Sequence, residues 1–344
     1  MVDTLSHENY HFQFHRILCM STCLKNKFIF LFFICLAYSS EYFGSKITKG
    51  TIELDKIDEA SGIVMSRNNS DVFWVHNDSG DKNILYAVGN NGQHIGSIII
   101  EGASSRDWED ISIGPGPKEN EQYIYVGDIG DNLSQYNKKY IYRFIEPKID
   151  TSLIPFEKVV IDVEKIIFEY PDGKYDAESL FVDPQSKDII ILTKREKLIK
   201  IYTLPYPQKT NELITAKLMG DIDFYPNYKN FDLGRITAAS ISKGGSQILI
   251  KSYIDVFLFD RYDGQTVSEA IIMNQPPKKL TYSIEPQGEA LCWDSNNFGF
   301  YTLSEEKNNI EAVLYFYPLL IGCMDSKAIN FNPYAITPNR SCLY

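Results

Sequence analysis

The sequence predicts an all-β fold, a single β-propeller made by residues 47–318, and three observations predict it. Helical periodicity is nearly absent from this stretch, where short β-rich runs alternate with Gly, Asn, Asp and Pro turns. The chain contains 23 Tyr and 20 Phe, residue types that suit a half-buried sheet. The runs recur in groups every roughly 50 to 70 residues, a repeat typical of four-stranded propeller blades and not of a β-sandwich.

The N-terminal residues 1–40 predict a leader that precedes the propeller. Lys25 and Lys27 stand before an apolar run over 28–37, and small polar residues follow, which is the order of a secretory signal. Met20 is an alternative start of the chain. The run is too short for a helix that crosses a hydrocarbon core of about 30 Å, so we expect a secreted protein with no membrane span after the leader. An uncleaved N-terminal anchor that tethers the protein to a membrane is the alternative.

Five groups of runs predict five blades. Aligning the first run of each group places five residues at one equivalent position: Ser61, Glu109, Glu178, Ala239 and Glu289. The fifth group lacks its outer strand and the run over 47–54 has no partner, so pairing the two would close the ring and remove exposed edges. Six blades are the alternative if residues 206–236 contain a further unit. We therefore expect a propeller over residues 41–318, followed by a short module over 319–344.

The most polar motifs fall at the starts of first strands and at the ends of second strands. These two places meet on one face of a propeller, because neighbouring strands of a blade are antiparallel. The candidate catalytic residues of this face are five acids and one general base: Glu109, Glu178, Glu289, Asp107, Asp176 and His76. The candidate ligand-binding residues are Asn77, Asp78, Arg106, Trp108, Lys194, Arg195, Lys251, Gln287 and Glu305. We expect all of them around one mouth of the central channel.

Carboxylates this close together repel one another and need cations, protons or basic neighbours. Hard oxygen ligands suit Ca²⁺, whereas zinc is bound by His and Cys clusters, which this sequence lacks. Two Asp-x-Gly-Asp motifs supply the candidate metal ligands, which are Asp78, Asp81, Asp128 and Asp131. Tight turns and turn caps are the alternative explanation of these acidic residues.

Composition and motifs leave three classes of function. The net charge of −11, without a Lys/Arg-rich run, argues against binding to nucleic acid. The favoured class is a monomeric secreted protein that binds a small molecule or glycan, with Ca²⁺ at the mouth. The second is an extracellular hydrolase of glycosides or phosphate esters that uses the same carboxylates; the chain has no Gly-x-Ser-x-Gly elbow of a serine hydrolase. The third is an adhesion or scaffold protein.

The C-terminal tail has one cysteine near each end. Cys323 and Cys342 enclose a polar segment too small for a core of its own, so we expect a disulfide formed in an oxidising compartment. Sequons at Asn68 and Asn339 predict glycosylation in exposed turns. The tail also resembles a module common in secreted proteins, of the form Gly-Cys-x-Asp followed by Asn-Tyr-Asn-Pro and Ser-Cys. In this chain Asn339-Arg340 replaces the acidic pair of that module.

Five strings of the chain resemble a family of secreted, mostly bacterial β-propeller proteins: EASGIVMSRNNSDVFWVHNDSGD, RDWEDISIGPGP, YIYVGDIGDN, DAESLFVDP and PQGEALCWD. The resemblance covers residues 50–318 and implies a propeller with a shared site, but no particular activity. Family members often carry Asp in the fourth blade, where this chain has Ala239-Ser240. The chain is more weakly similar to Ca²⁺-binding extracellular propellers such as β-propeller phytases, which implies phosphate-ester hydrolysis, although their Asp-rich metal strings are not reproduced.

Overall fold

The computed structural model describes residues 42–78, 80–150, 152–229 and 232–344, so the predicted leader and the alternative start lie outside the described residues. In chain order the first strands are β1 (Ile47–Thr51), β2 (Ala60–Met65), β3 (Val72–Asn77), β4 (Ile84–Gly89), β5 (His94–Ile100), β6 (Trp108–Pro115), β7 (Gln122–Asp128), β8 (Lys139–Ile145), β9 (Phe156–Val160), β10 (Glu164–Glu169), β11 (Ala177–Val182) and β12 (Ile189–Thr193). They are followed by β13 (Ile199–Leu204), β14 (Leu213–Thr215), β15 (Lys217–Ile222), β16 (Ile236–Ile241), β17 (Gln247–Ser252), β18 (Val256–Asp260), helix α1 (Val267–Met273), β19 (Lys278–Lys279), β20 (Gly288–Trp293), β21 (Gly299–Ser304), β22 (Val313–Pro318), β23 (Ile321–Gly322) and β24 (Thr337–Pro338).

Five sheets stand as blades around a channel. Each blade runs outward from one of five inner strands, which are β2, β6, β11, β16 and β20. Each inner strand packs against the next one, and β20 packs against β2, so the ring is closed. The prediction of a five-bladed propeller is confirmed. The described residues between 206 and 236 contribute β14, β15 and one turn of 3-10 helix at Asp232–Gly234, and no sixth blade is formed among them.

The N-terminal strand closes the ring as predicted. Strand β1 pairs antiparallel with β22, in register from Ile47 opposite Phe316 to Thr51 opposite Val313, and becomes the outer strand of the fifth blade. Two further strands were not predicted. Strand β9 pairs parallel to β5 at the edge of the first blade, and β14 pairs parallel to β10 at the edge of the second. Each comes from the chain of the following blade, so neighbouring blades are also linked at their outer edges.

The β-rich pattern of the sequence places a fourth strand of the fourth blade at residues 269–274, and this prediction is wrong, because the segment forms helix α1 and its C-cap Asn274. Thr266 caps this helix: its hydroxyl accepts from the Glu269 amide at 3.2 Å, while the Glu269 carboxylate accepts from the Thr266 amide at 2.8 Å. This capping box satisfies two backbone donors at the helix start. Val267, Ala270 and Ile271 are buried against the blade. The fourth strand is instead the two-residue β19.

Apolar side chains between neighbouring blades hold the ring together. Trp74 of the first blade and Trp108 of the second lie in one such cluster, and both are fully enclosed. The Trp74 indole N–H also donates to the buried Glu146 carboxylate at 3.0 Å. Trp293 belongs to the cluster between the fourth and fifth blades. Packing of this kind leaves little space for water between the blades.

The tail forms the predicted disulfide between Cys323 and Cys342, and its Tyr334 ring packs against Phe316 of the fifth blade. Within it β23 pairs with β24, and the Asn332 side-chain amide donates to the Leu319 carbonyl at 2.8 Å. In the part of the chain that the structure describes, no helix is long and apolar enough to cross a membrane. Asn339 is exposed, and glycosylation of the two sequons stays a prediction.

Candidate cation and ligand site at the channel mouth

All five inner strands begin with a β-bulge. At each bulge the pairing with the second strand skips one residue, and the skipped residues are Ser61, Glu109, Glu178, Thr237 and Glu289. A bulge bends the strand and changes the direction of the skipped side chain. The same local distortion therefore repeats five times around the mouth, and in three blades it carries a glutamate.

The sequence alignment of the fourth blade was wrong by two residues. Thr237, and not Ala239, is equivalent to the glutamates, because the register shift in this blade falls between Ile236 and Ala238. A shift of two residues leaves each side chain on the same face of a strand, so the apolar pattern cannot detect it. The fourth blade thus contributes a buried hydroxyl to the mouth instead of a carboxylate.

Seven carboxylates converge at the mouth, and we call them the acid ring: Asp78, Asp107, Glu109, Asp176, Glu178, Glu289 and Glu305. They form three groups in which one oxygen from each residue lies within 4.8 Å of the others, namely Asp78–Glu289–Glu305, Asp78–Asp107–Glu109 and Glu109–Asp176–Glu178. Asp78 and Glu109 each belong to two groups, so the groups adjoin. All of these residues except the half-buried Asp78 are buried.

A lysine neutralises one side of the acid ring. The Lys194 ammonium bonds to the Glu178 carboxylate, donates to the Tyr253 hydroxyl at 3.1 Å and lies 4.0 Å from a Glu289 oxygen. Burial by itself lowers the pKa of Lys194, but the charges of Glu178 and Glu289 outweigh it and raise that pKa above its usual value. Lys194 therefore stays charged and acts as a built-in counterion.

Two arginines pair with acids at the edge of the mouth. Arg195 Nε lies 2.5 Å from Asp176 Oδ2, and Arg106 Nε lies 3.6 Å from Asp128 Oδ1. The Arg106 guanidinium also stacks on the Tyr136 ring, 4.0 Å from its centre. These predicted ligand-binding residues are thus held in place by the protein, although both keep about a quarter of their side chains exposed.

The side of the acid ring around Glu109 differs from the side that Lys194 neutralises. Glu109 Oε2 is buried and has no hydrogen-bond partner among the described residues. Burial raises the pKa of Glu109 well above its usual value, and burial together with the charge of Asp176 raises the pKa of Asp107 to about 6. Gly130 leaves the space for these carboxylates, since a Cβ there would lie 2.1 Å from Glu109 Oε1. Burial and neighbouring carboxylates thus outweigh the nearby positive charges of Lys194, Lys139 and Arg106 in this part of the ring.

Of the four predicted metal ligands, the structure brings Asp78 into the acid ring. The other three lie in none of the acidic groups formed by the described residues. Asp81 accepts from the Tyr86 hydroxyl at 2.9 Å, and Asp131 pairs with the buried Lys139 ammonium at 3.1 Å. Asp81 and Asp131 thus anchor the turns that follow β3 and β7, whereas Asp128 accepts from the Asp107 amide and the Ser104 hydroxyl, both at 3.1 Å, in the segment that precedes β6.

His76 and Trp108 are buried side chains that pack against each other. His76 is fully buried, its Nδ1 is 2.9 Å from the Asn77 carbonyl oxygen, and burial lowers its pKa to about 4. Gly62 makes room for the imidazole, because a Cβ there would lie 2.1 Å from Nε2. The Trp108 ring meets the His76 ring edge-on at 5.7 Å, and its N–H donates to the Ser104 carbonyl at 2.8 Å. We assign packing roles to both residues.

A second buried acid–base cluster lies beneath the start of β20. Lys251 donates to the Gly288 carbonyl, and burial lowers the pKa of its amine to about 8. Gly288 leaves room for both Lys251 and Glu285, since a Cβ there would lie 3.0 Å from the amine and 2.5 Å from Glu285 Oε2. Sequence reasoning missed Glu285, because it precedes the strand by three residues. The backbone carbonyl of the predicted Gln287 accepts from the Glu305 amide at 3.1 Å, which joins the start of β20 to the end of β21.

Asp110 is the other important residue that sequence reasoning left out. Its carboxylate is fully buried and accepts from the backbone amides of Ile111 at 2.8 Å, Leu180 at 2.8 Å and Ala239 at 3.4 Å. One side chain thus ties the inner strands of the second, third and fourth blades together across the channel. The acidic run from Asp107 to Asp110 is visible in the sequence. It does not, however, distinguish a carboxylate that links strands by hydrogen bonds from one that binds a ligand.

Comparison with models of protein families and with curated proteins finds no match to this chain.

Proposed function

We propose that this protein is a secreted β-propeller that binds Ca²⁺ at the acid ring and, through the cation, an oxygen-rich ligand, either a small molecule or a glycan. The observation that carries the proposal is the group Asp78–Asp107–Glu109. It combines three convergent carboxylates with a buried Glu109 oxygen that has no hydrogen-bond partner among the described residues. A buried carboxylate in that state needs a proton or a cation. Secretion is supported by the signal-like N-terminal sequence and by the disulfide.

The donor atoms of the acidic groups are all carboxylate oxygens, which are the hard ligands that calcium prefers. Calcium takes six to eight oxygen ligands in flexible geometry, which leaves positions for oxygens of a bound molecule. Asp78, Asp107 and Glu109 would hold the ion, with Glu289 and Glu305 beside them.

Calcium binding is expected to stabilise the purified protein. At a Ca²⁺ concentration 100 times Kd, the free energy of unfolding should rise by about 2.7 kcal/mol, and EDTA should reverse the change. Thermal melting and calorimetric titration measure this. Glu109→Gln should abolish the response because it removes a charged ligand, whereas Glu157→Gln on the exposed face of β9 should leave it unchanged. A melting temperature that is the same in Ca²⁺ and EDTA would sink the proposal.

Gly130→Ala is expected to weaken calcium binding while the protein stays folded. The new methyl group would occupy the space beside Glu109 Oε1 and Asp107, so both carboxylates must turn away from the group that they form. We expect a loss of about tenfold or more in affinity, equal to about 1.4 kcal/mol. Gly244→Ala is the matched control, because a Cβ at Gly244 meets no atom within 4 Å. Equal affinities of the two variants would contradict the placement of the cation.

A further inference from the structure

A cavity of about 220 Å³ opens beside the acid ring, at the second blade. One wall is formed by Arg106 and Asp107, which precede β6, and the other by the turn at 131–136, which follows β7. The cavity is smaller than the pockets that enclose drug-sized ligands, so it suits one small unit of a molecule.

The cavity shares one residue with the acid ring. Asp107 lines the cavity and also belongs to the group Asp78–Asp107–Glu109, where we place the cation. A molecule in the cavity would therefore lie next to the calcium ion. It could supply some of the oxygen ligands of that ion, since calcium takes six to eight.

Among the described residues that line the cavity, Arg106 alone is basic. Two tyrosine rings hold its guanidinium group, with the centre of the Tyr136 ring at 4.0 Å and that of the Tyr140 ring at 5.4 Å. A guanidinium held in this way loses little freedom when it binds a partner. The cavity therefore presents one fixed positive charge beside the acid ring.

Arg106 keeps hydrogen-bond donors that the protein does not use. A guanidinium group has five N–H groups. Nη1 donates to the Lys138 carbonyl at 3.3 Å and Nη2 to the Asp128 carbonyl at 3.4 Å, while Nε makes no hydrogen bond among the described residues. Each terminal nitrogen thus retains one N–H group, and the side chain is 22% exposed. Two such donors match the two oxygens of a carboxylate.

The buried acids next to Arg106 have other partners. The Asp128 carboxylate accepts from an amide and a hydroxyl, both at 3.1 Å. The Asp131 carboxylate pairs with the Lys139 ammonium at 3.1 Å. A ligand that binds to Arg106 would therefore leave neither carboxylate without a hydrogen-bond donor.

The remaining lining favours a singly charged ligand that carries hydroxyl groups. Asn132 and Gln135 line the cavity and are exposed, and side-chain amides both donate and accept, as hydroxyls do. A phosphate dianion would bring more negative charge than a carboxylate into a mouth that already holds seven acids. Asp107 repels a carboxylate too, unless the calcium ion engages its charge.

We propose that this cavity binds a hexuronate, a sugar acid that is either free or one unit of an acidic polysaccharide. Its carboxylate accepts from the Arg106 guanidinium and gives an oxygen to the calcium ion at Asp107, while its hydroxyls bond to the side chains of Asn132 and Gln135. This inference rests on the proposed function, because the cation is part of it. Binding of the hexuronate should therefore require calcium.

The test uses the purified full chain with galacturonate, glucuronate and trigalacturonate as probes, and with galactose and glycerophosphate as comparisons. In millimolar CaCl₂, calorimetry and saturation-transfer NMR should detect binding of at least one uronate. Replacing CaCl₂ by EDTA should weaken that binding by about tenfold or more, within the usual range of coupling between two ligands. Tighter binding of trigalacturonate than of galacturonate identifies a polysaccharide as the source, and equal binding identifies the free acid.

Arg106→Lys is expected to weaken uronate binding by about tenfold or more, because lysine keeps the charge and loses the planar pair of donors. Its calcium affinity should stay that of the wild type, since the charge beside Asp107 is retained. Arg235→Lys is the matched control: Arg235 pairs with Asp232 and does not line the cavity. Asn132→Asp, at an exposed position that the fold should tolerate, adds a negative charge to the cavity and should also weaken uronate binding.

The calcium titration without sugar separates the two proposals. A wild type that binds Ca²⁺ but no uronate, or that binds galactose or glycerophosphate equally well, overturns the hexuronate subsite and leaves the cation site standing. Uronate binding of equal strength in CaCl₂ and EDTA overturns the link between subsite and cation. An undiminished uronate affinity of Arg106→Lys overturns the role given to Arg106.

Discussion

Lys194→Met is expected to lower the free energy of unfolding by about 3–5 kcal/mol, the usual effect of removing one partner of a buried ion pair. The ammonium and the Glu178 carboxylate are both almost fully buried, with exposed side-chain fractions of 6% and 4%. Methionine retains the length of the lysine stem, so the packing around it should survive. What the variant loses is the positive charge that Glu178, Glu289 and the Tyr253 hydroxyl surround.

A second variant separates charge from packing. Lys194→Met combined with Glu178→Gln should recover much of the lost stability, since the uncompensated carboxylate is then gone. Lys200→Met is the matched control: Lys200 pairs with Asp172 at 2.7 Å, but both side chains are partly exposed, so we expect less than about 1 kcal/mol. Urea unfolding of the four proteins measures these differences. If the double variant were no more stable than Lys194→Met, the counterion role of Lys194 would be wrong.

Much of the architecture could be predicted from the sequence because its signals are local and repeated. The spacing of β-rich runs indicated five blades, and the unpaired run at 47–54 indicated the closing strand. Antiparallel geometry alone then placed the starts of first strands beside the ends of second strands. This is why Glu109, Glu178 and Glu289, far apart in the chain, could be expected at one mouth.

The predictions that failed concern features that the repeated pattern of β-rich runs does not indicate. The apolar run in α1 suits either a strand or a helix, and only the capping box at Thr266 and Glu269 favours the helix. Strands β9 and β14 join a neighbouring blade, which no periodicity within one blade can indicate. Whether an aspartate joins the ring, as Asp78 does, or anchors a turn, as Asp81 does, depends on side-chain partners that pattern alone cannot identify.

Asp110 is a fully buried acid that stabilises the fold at the edge of the proposed binding site. It is adjacent in sequence to Glu109, yet its oxygens accept backbone amides of two other blades. The bulge explains the difference. Glu109 is the skipped residue and joins the acid ring, whereas Asp110 resumes the pairing, opposite Gly127, and lies within the channel.

Asp110→Ala is therefore expected to lower the free energy of unfolding by about 3 kcal/mol or more. It leaves the buried amides of Leu180 and Ala239 without their acceptor, and each such loss costs about 1–3 kcal/mol. Asp110→Asn should cost clearly less, since it keeps an acceptor oxygen and burial already raises the pKa of Asp110 well above its usual value. Chemical unfolding of both variants measures the difference. Equal losses in the two would show that the shape of the side chain, and not its hydrogen bonds across the channel, holds the three blades together.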